Sequence, residues 1–299
     1  MRSVSGKGGN VGGIAGIIDK NSVLSACSNS GAITVDGSTV MGGGIVGVSA
    51  KSSIVSCFNT GDVSATGTTY TAYAGGIVGD GVTNCDSNNP SQISHCYSTG
   101  NITAKASGIS TSGGIVGGAR YAVIESCFAM GTVSAEPSGS NSVYAGGIIG
   151  WIWSSSKVTV KDCLALNTDG VKATGNTSGK QAGRIVGKNS GTNNDIVTLS
   201  NNYASTKIQL TAGDQPSVPT IDIAADAING ADVYLDEVAD VIADWTGEGK
   251  AFTAIDTTEN GKLPRLKVIT AYNTNGLPTA YEEGSFIPGQ PDNLTSSTY

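Results

Sequence analysis

Through residue 211 the apolar and polar positions alternate in short bursts with no helical period. Gly61-Asp62-Val63-Ser64-Ala65 puts its apolar side chains on one side of an extended chain and its polar ones on the other, the period-two pattern of a half-buried strand. The bursts recur in a fixed order of three. The first is Gly12-Gly13-Ile14-Ala15-Gly16, repeated as Gly43-Gly44-Ile45-Val46-Gly47, Gly75-Gly76-Ile77-Val78-Gly79, Gly113-Gly114-Ile115-Val116-Gly117, Gly146-Gly147-Ile148-Ile149-Gly150 and, with Arg184 for the second glycine, Gly183 to Gly187. The copies lie 31, 32, 38, 33 and 37 residues apart. The second burst is an aliphatic residue with Cys three positions on: Leu24 and Cys27, Ile54 and Cys57, Ile93 and Cys96, Ile124 and Cys127, Val160 and Cys163, then Leu199 and Asn202. The third opens on a glycine four residues after the cysteine, as at Gly31, Gly61, Gly100 and Gly131, and alternates from there.

Such a unit cannot bury its own Ile and Val face, whereas stacked units share a continuous core. The spacing predicts an all-β repeat solenoid, parallel β-helix-like, of six coils with about three short strands per coil. A propeller blade would take about 40–45 residues and four strands. In a stack, Ile14, Ile45, Ile77, Ile115, Ile148 and Ile185 form one interior column. Gly13, Gly44, Gly76, Gly114 and Gly147 serve corners where a Cβ would clash. Cys27, Cys57, Cys96, Cys127 and Cys163 form a column of small buried hydrophobes. Parallel neighbours have near-parallel Cβ vectors, poor geometry for a disulfide, so free structural thiols are expected there. Cys85, in an insertion around Thr83–Gln92, either pairs with Cys96 or stays free.

Beyond the repeats the pattern changes. Leu235, Val238, Val241, Ile242 and Trp245 fall at helical spacing, predicting a short helix over Asp232–Trp245. The expected organisation is a solenoid over 1–211, a helix-bearing cap over 212–275 and a linker-like tail over 276–299. The last coil needs cover for its unpaired strands, so Leu235, Val238, Ile242 and Trp245 should bury against Ile208 and Leu210. A chain that opens just ahead of a repeat and closes on such a tail has the form of a piece of a longer polypeptide.

The Gly-Gly-Ile-Val-Gly element, with a downstream Cys, an aromatic residue and Gly-x-Val, resembles the GLUG-motif repeats of bacterial surface and secreted proteins. The resemblance covers roughly residues 10–210, and Gly261-Lys262-Leu263-Pro264-Arg265-Leu266 is similar to the endings of such regions. These repeats occur in adhesin-like chains and beside the catalytic domains of some immunoglobulin A proteases. The resemblance implies an extracellular or cell-surface location, further domains of the same polypeptide as neighbours, and a structural or binding role. Arg184 and Asn202 depart from the motif in the sixth copy.

Composition narrows the chemistry. The net charge of −7 divides unevenly, with 13 Lys and Arg against 10 Asp and Glu in residues 1–211 and 4 against 14 beyond. That leaves no basic stripe for a phosphate backbone, so no nucleic-acid partner is expected. No apolar run is long enough for a transmembrane helix, so membrane insertion of this segment is not expected either. With one histidine, His95, and no Cys-x-x-Cys, neither a metal nor a cofactor is expected. Ser56, His95, Ser126 and Asp162 share the slot before the cysteine, but stacking order sets Asp162 beside Ser126 and away from His95, the wrong order for a triad. A carbohydrate-active β-helix enzyme, the alternative function, would need clustered carboxylates. Asp62, Glu125, Asp162 and Asp169 occupy different slots, and Glu125 and Lys161 share one as a salt-bridge pair. No catalytic residue is therefore assigned.

Candidate binding residues are Trp151 and Trp153, which point to one face of a strand, with Tyr73 and Tyr144 in equivalent slots two coils apart. Exposed indoles could stack on sugar rings, so the expected partner is a host or environmental glycan or a protein. Thr34, Ser64, Thr103 and Ser134 form an outward hydroxyl ladder.

Overall fold

The computed structural model describes residues 3–81, 86, 88–139, 142–167, 169–175, 179–190, 197–212, 216–217, 226–254 and 263–290. The repeats wind into a three-faced parallel β-solenoid. The first face carries two strands per turn, such as Val63–Gly67 and Thr71–Gly75, and the second carries pairs such as Val78–Gly81 and Ser91–Ser94. The third carries two-residue strands, among them Phe58–Asn59, Tyr97–Ser98 and Phe128–Ala129. Registers follow the sequence repeat: Gly12 pairs with Gly43, then Gly75, Gly113, Gly146 and Gly183 in turn. The hydroxyl ladder Thr34, Ser64, Thr103, Ser134 is in register on the first face and ends at Lys172.

Each corner has its own backbone solution. At the first, a Cβ on Gly44 would lie 2.1 Å from the Gly76 carbonyl oxygen and 2.4 Å from Asn59 Cγ, so the second glycine of the pair is a packing requirement. The second corner uses the slot before each cysteine. Ala26, Ser56, His95, Ser126, Asp162 and Asn201 all sit there in the left-handed region, at φ 50 to 54°. These residues are therefore corner residues, and Ser56 and Ser126 are buried. The conformation costs about 1–2 kcal/mol for a non-glycine residue, and repetition in every coil shows that stacking compensates for it.

Ile45, Ile77, Ile115, Ile148 and Ile185 are fully buried as a column. Ile14 departs from expectation at 45% exposed, because the first coil is covered on one side only. The column also runs one step further: the Ile185 amide donates to the Ile228 carbonyl at 3.1 Å, as the Ile148 amide does to Ile185 at 3.0 Å. With Leu210–Ala212 on the first face and Ala231–Val233 on the third, Ile228 belongs to a truncated seventh coil. Arg184 explains its own departure from the repeat. Its side chain, 3% exposed, fills the space above the sixth corner and holds that coil through the Asn229 and Gly230 carbonyls and the Asp232 carboxylate at 2.6 Å.

Cys27, Cys57, Cys96, Cys127 and Cys163 are unbonded thiols. Sγ of Cys96 and Cys127 donate to carbonyls two residues back at 3.2 Å, while the Cys96 amide donates to Cys127 Sγ at 3.4 Å. Burial pushes the Cys96 and Cys163 thiols up, holding them protonated. Cys85 lies outside the described residues.

The acidic C-terminal region goes elsewhere than expected. Its helical stretch is short and irregular, with 3-10 turns at Leu235–Glu237 and Ala243–Trp245 around an α turn at Val238–Val241. Val238, Ile242 and Trp245 are buried, not over Ile208 and Leu210, but along the third face. There Phe58, Tyr97 and Phe128 form an outward stack at 5.1 and 4.8 Å between centroids. The side chain of Leu235 lies outside the described residues. Phe252 lies 5.7 Å from Phe128 and 5.1 Å from Trp245. The part of 276–299 that the structure describes is folded: Pro278–Phe286 pairs with Lys267–Tyr272 in a hairpin, and Gln290 accepts from the Tyr97 hydroxyl at 3.2 Å. The segment is a strap laid on the third face, where it buries the outward aromatic column of Phe58, Tyr97 and Phe128.

Candidate functional site

The sequence-selected aromatics converge on one flank. Tyr73 and Tyr144 lie on the first face with Thr111 between them in register. On the second face Asp80, Gly118 and Trp151 are in register. The two columns meet because the first corner folds the strands back on one another. A Cβ at Gly118 would sit 3.0 Å from the Tyr73 ring and 3.2 Å from Asp80 Oδ1.

The rings form a continuous row. Trp151 and Trp153 stack at 4.2 Å and 20°, Tyr73 covers Trp153 at 6.1 Å, and Tyr144 meets Trp151 at 5.3 Å. Both indoles were expected to offer flat faces to sugar rings. Their faces are instead occupied by each other and by the tyrosines, which are themselves buried, Tyr73 at 2% and Tyr144 at 9% exposed, so only the half-buried indoles reach the surface, by their edges. Trp151 Nε1 donates to Ser190 Oγ at 2.8 Å, and the Arg120 guanidinium lies 5.4 Å from the Trp153 ring centre, a cation–π contact. Lys188 stands in register beside Trp151, and Lys157 beside Tyr121 next to Arg120.

Sequence reasoning missed the polar floor of this flank. Asp80 is 4% exposed and its Oδ1 has no hydrogen-bond partner, like Thr111 Oγ1, Arg120 Nε and Trp153 Nε1. Burial pushes the Asp80 carboxyl up to about 8, with Arg120 pulling the other way. At neutral pH it is mostly the neutral acid, which leaves the guanidinium uncompensated. The signal was present in the alignment of the coils: Asp80 stands where the neighbouring coils have Val48 and Gly118.

Of the groups considered for catalysis, Asp162, Glu125 and Asp62 make local polar contacts, whereas His95 Nδ1 and Ser56 Oγ are buried without a hydrogen-bond partner. His95 packs at 6.3 Å against Phe252, burial pushing its pKa down, and Asp162 accepts from Asn201 at 3.3 Å. Glu125 makes its ion pair with Lys161 at 2.6 Å, and Asp62 accepts the Asn101 amide at 2.8 Å. Among the described residues no three His, Cys, Asp or Glu side chains group as a metal site, and no helix is long and apolar enough to cross a membrane.

Comparison with known proteins places the architecture. No family model matches the chain, and no curated protein matches it. A solved structure from Bacteroides ovatus, named a putative immunoglobulin A1 protease, superimposes with a TM-score of 0.54 at 23% identity, over 88% of this chain and 76% of that one. At that identity the likeness shows the fold alone: a parallel β-solenoid shared with a protein that bears a protease name.

Proposed function

We propose that this chain is a non-catalytic β-solenoid module of a secreted or cell-surface bacterial protein, of the GLUG-repeat kind, that engages a partner through the Tyr73–Trp153–Trp151–Tyr144 flank. The observation that carries this is the convergence of the half-buried Trp151, Trp153 and Arg120 on one patch, backed by the buried rings of Tyr73 and Tyr144. Trp, Tyr and Arg are the residues that most often dominate binding energy at protein interfaces. Because the indole faces are covered, the flank suits a partner surface that reaches ring edges and the guanidinium, and a protein fits this better than a flat sugar ring. A role apart from catalysis agrees with the engagement of His95, Asp162, Glu125 and Asp62 in local contacts. An extracellular setting agrees with the name of the structural neighbour.

The test is retention of host-surface and secretory proteins on the immobilised chain and on its Trp153→Ala and Arg120→Gln variants, with the retained protein then titrated in purified form. Trp153→Ala should weaken binding at least tenfold at a temperature where circular dichroism shows the variant still folded. A partner bound equally by all three proteins would refute this flank as the site.

A further inference from the structure

On the opposite side of the second face, loops from three successive coils and the tip of the C-terminal hairpin enclose an open cleft of about 570 Å³. Asn21 comes from the first coil, Lys51 to Ser53 from the second, Asn88 to Pro90 and Gln92 from the third, and Thr274, Asn275 and Leu277 from the hairpin. We propose that this cleft is a carbohydrate site for a neutral, hydroxyl-rich saccharide.

Four features carry the assignment. The walls are fixed by their own backbone bonds. The Asn21 amide donates to the Lys51 carbonyl at 2.8 Å, Asp86 Oδ1 accepts the Asn88 amide at 2.9 Å and the Asn89 amide at 3.0 Å, and Asn273 Oδ1 accepts the Asn275 amide at 2.9 Å and the Leu277 amide at 3.0 Å. With those backbones held, the side-chain amides of Asn21, Asn88, Gln92 and Asn275 have no partner among the described residues. Each side-chain amide both donates and accepts, which matches sugar hydroxyls that do the same. Among the described residues the one cation in the lining is Lys51, paired with Asp86 at 2.9 Å, so the described lining offers no surplus charge with which to select an anionic ligand.

Size and composition complete the argument. Ligand sites commonly measure about 300–1,000 Å³ and are mostly apolar; this one is of that size, with Val23, Pro90 and Leu277 its apolar lining. Three small apolar contacts among amides and hydroxyls suit the C–H patches of a pyranose and give an apolar peptide side chain little to bury. The hairpin tip is part of the site, so the strap that covers the aromatic column also completes the cleft. This inference shares with the proposed function only the reading of the chain as a binding module, and it uses none of the same residues.

The experiment is a glycan array of neutral, sialylated and sulfated saccharides probed with the intact chain. The best neutral binder is then titrated by calorimetry against Asn275→Ala, Gln92→Ala, Trp153→Ala and the unsubstituted chain. Neutral saccharides should bind, and Asn275→Ala and Gln92→Ala should each weaken binding at least fivefold while Trp153→Ala leaves it unchanged. Asn275 and Gln92 are exposed, so their variants should melt within a degree or so of the unsubstituted chain, and the half-buried Trp153→Ala is titrated at a temperature where circular dichroism shows it folded. Absence of neutral binders, a preference for anionic glycans, or equal binding by the amide variants would each overturn the cleft assignment. Loss confined to Trp153→Ala would overturn it and leave the aromatic flank standing.

Discussion

Replacement of Asp80 by Asn should flatten the stability of this protein between pH 5 and pH 9. The carboxyl is 4% exposed, its Oδ1 has no partner, and burial lifts it from 3.8 to about 8. An acid whose pKa is raised by folding must take up a proton to enter the fold. The folded state then binds more protons than the unfolded state, and stability falls as pH rises from the unfolded value to the folded one. At about 1.4 kcal/mol per unit, the cost is under 2 kcal/mol at pH 5, about 4 kcal/mol at pH 7, and levels off near 6 kcal/mol above pH 8. The unsubstituted chain should therefore lose about 4 kcal/mol between pH 5 and pH 9 from this one group. Asparagine keeps the shape and has nothing to ionise, so Asp80→Asn should gain stability at pH 7 and gain more at pH 9. His95, whose pKa burial lowers, bends the curve the opposite way at acid pH, but it is common to both proteins and cancels in their difference. Urea denaturation followed by circular dichroism at several pH values gives that difference directly. Parallel curves for the two proteins would mean that Asp80 is hydrated or ion-paired in the folded state, and the account of an uncompensated Arg120 would fail with them.

Three further outcomes follow from the packing. Cys127→Ala should cost about 1–3 kcal/mol as a core truncation, and thiol titration of the denatured protein without reductant should count at least five free cysteines; fewer than four would refute the reduced column. Phe252→Ala should cost about 3–5 kcal/mol in urea denaturation, because its ring joins Phe128 to Trp245 across the strap; no change would mean that the strap does not hold the third face. Arg184→Gly restores the repeat motif yet should destabilise by about 1–3 kcal/mol, since it removes bonds to Asn229, Gly230 and Asp232, and faster hydrogen exchange at Ala231–Val233 should report the loss.

The sequence disclosed the stacking because a repeat that recurs six times must satisfy the same neighbours six times. The glycine corners, the isoleucine column and the cysteine column all followed from slot identity. The left-handed corner was hidden because its six occupants, from Ala26 to Asn201, share no side-chain chemistry; only backbone geometry unites them. The strap was misplaced for a different reason. The unpaired strands at the end of the stack looked like the place in need of cover, whereas Phe58, Tyr97 and Phe128, in one slot of successive coils, form an outward aromatic column that also needs it. The aromatic row was legible in its members but not in its geometry, because the contacts of Tyr73 with Trp153 and of Tyr144 with Trp151 depend on how closely the first corner brings two strands together.

These differences share a physical origin, and it bears on where function lies in such a chain. Residues that obey the repeat are explained by the coils above and below them, and their freedom to do anything else is small. The functional candidates are departures. Asp80 interrupts a slot otherwise filled by Val48 and Gly118, Trp151 and Trp153 occupy the longest strand of the second face, and Asn88 to Gln92 close the insertion of the third coil. A buried acid in a solenoid costs several kcal/mol that stacking must offset, and four free amides around a cleft add nothing to stacking. Neither feature is required by the fold. The repeat therefore acts as a reference against which non-structural residues stand out, and both sites proposed on this chain lie where that reference is broken.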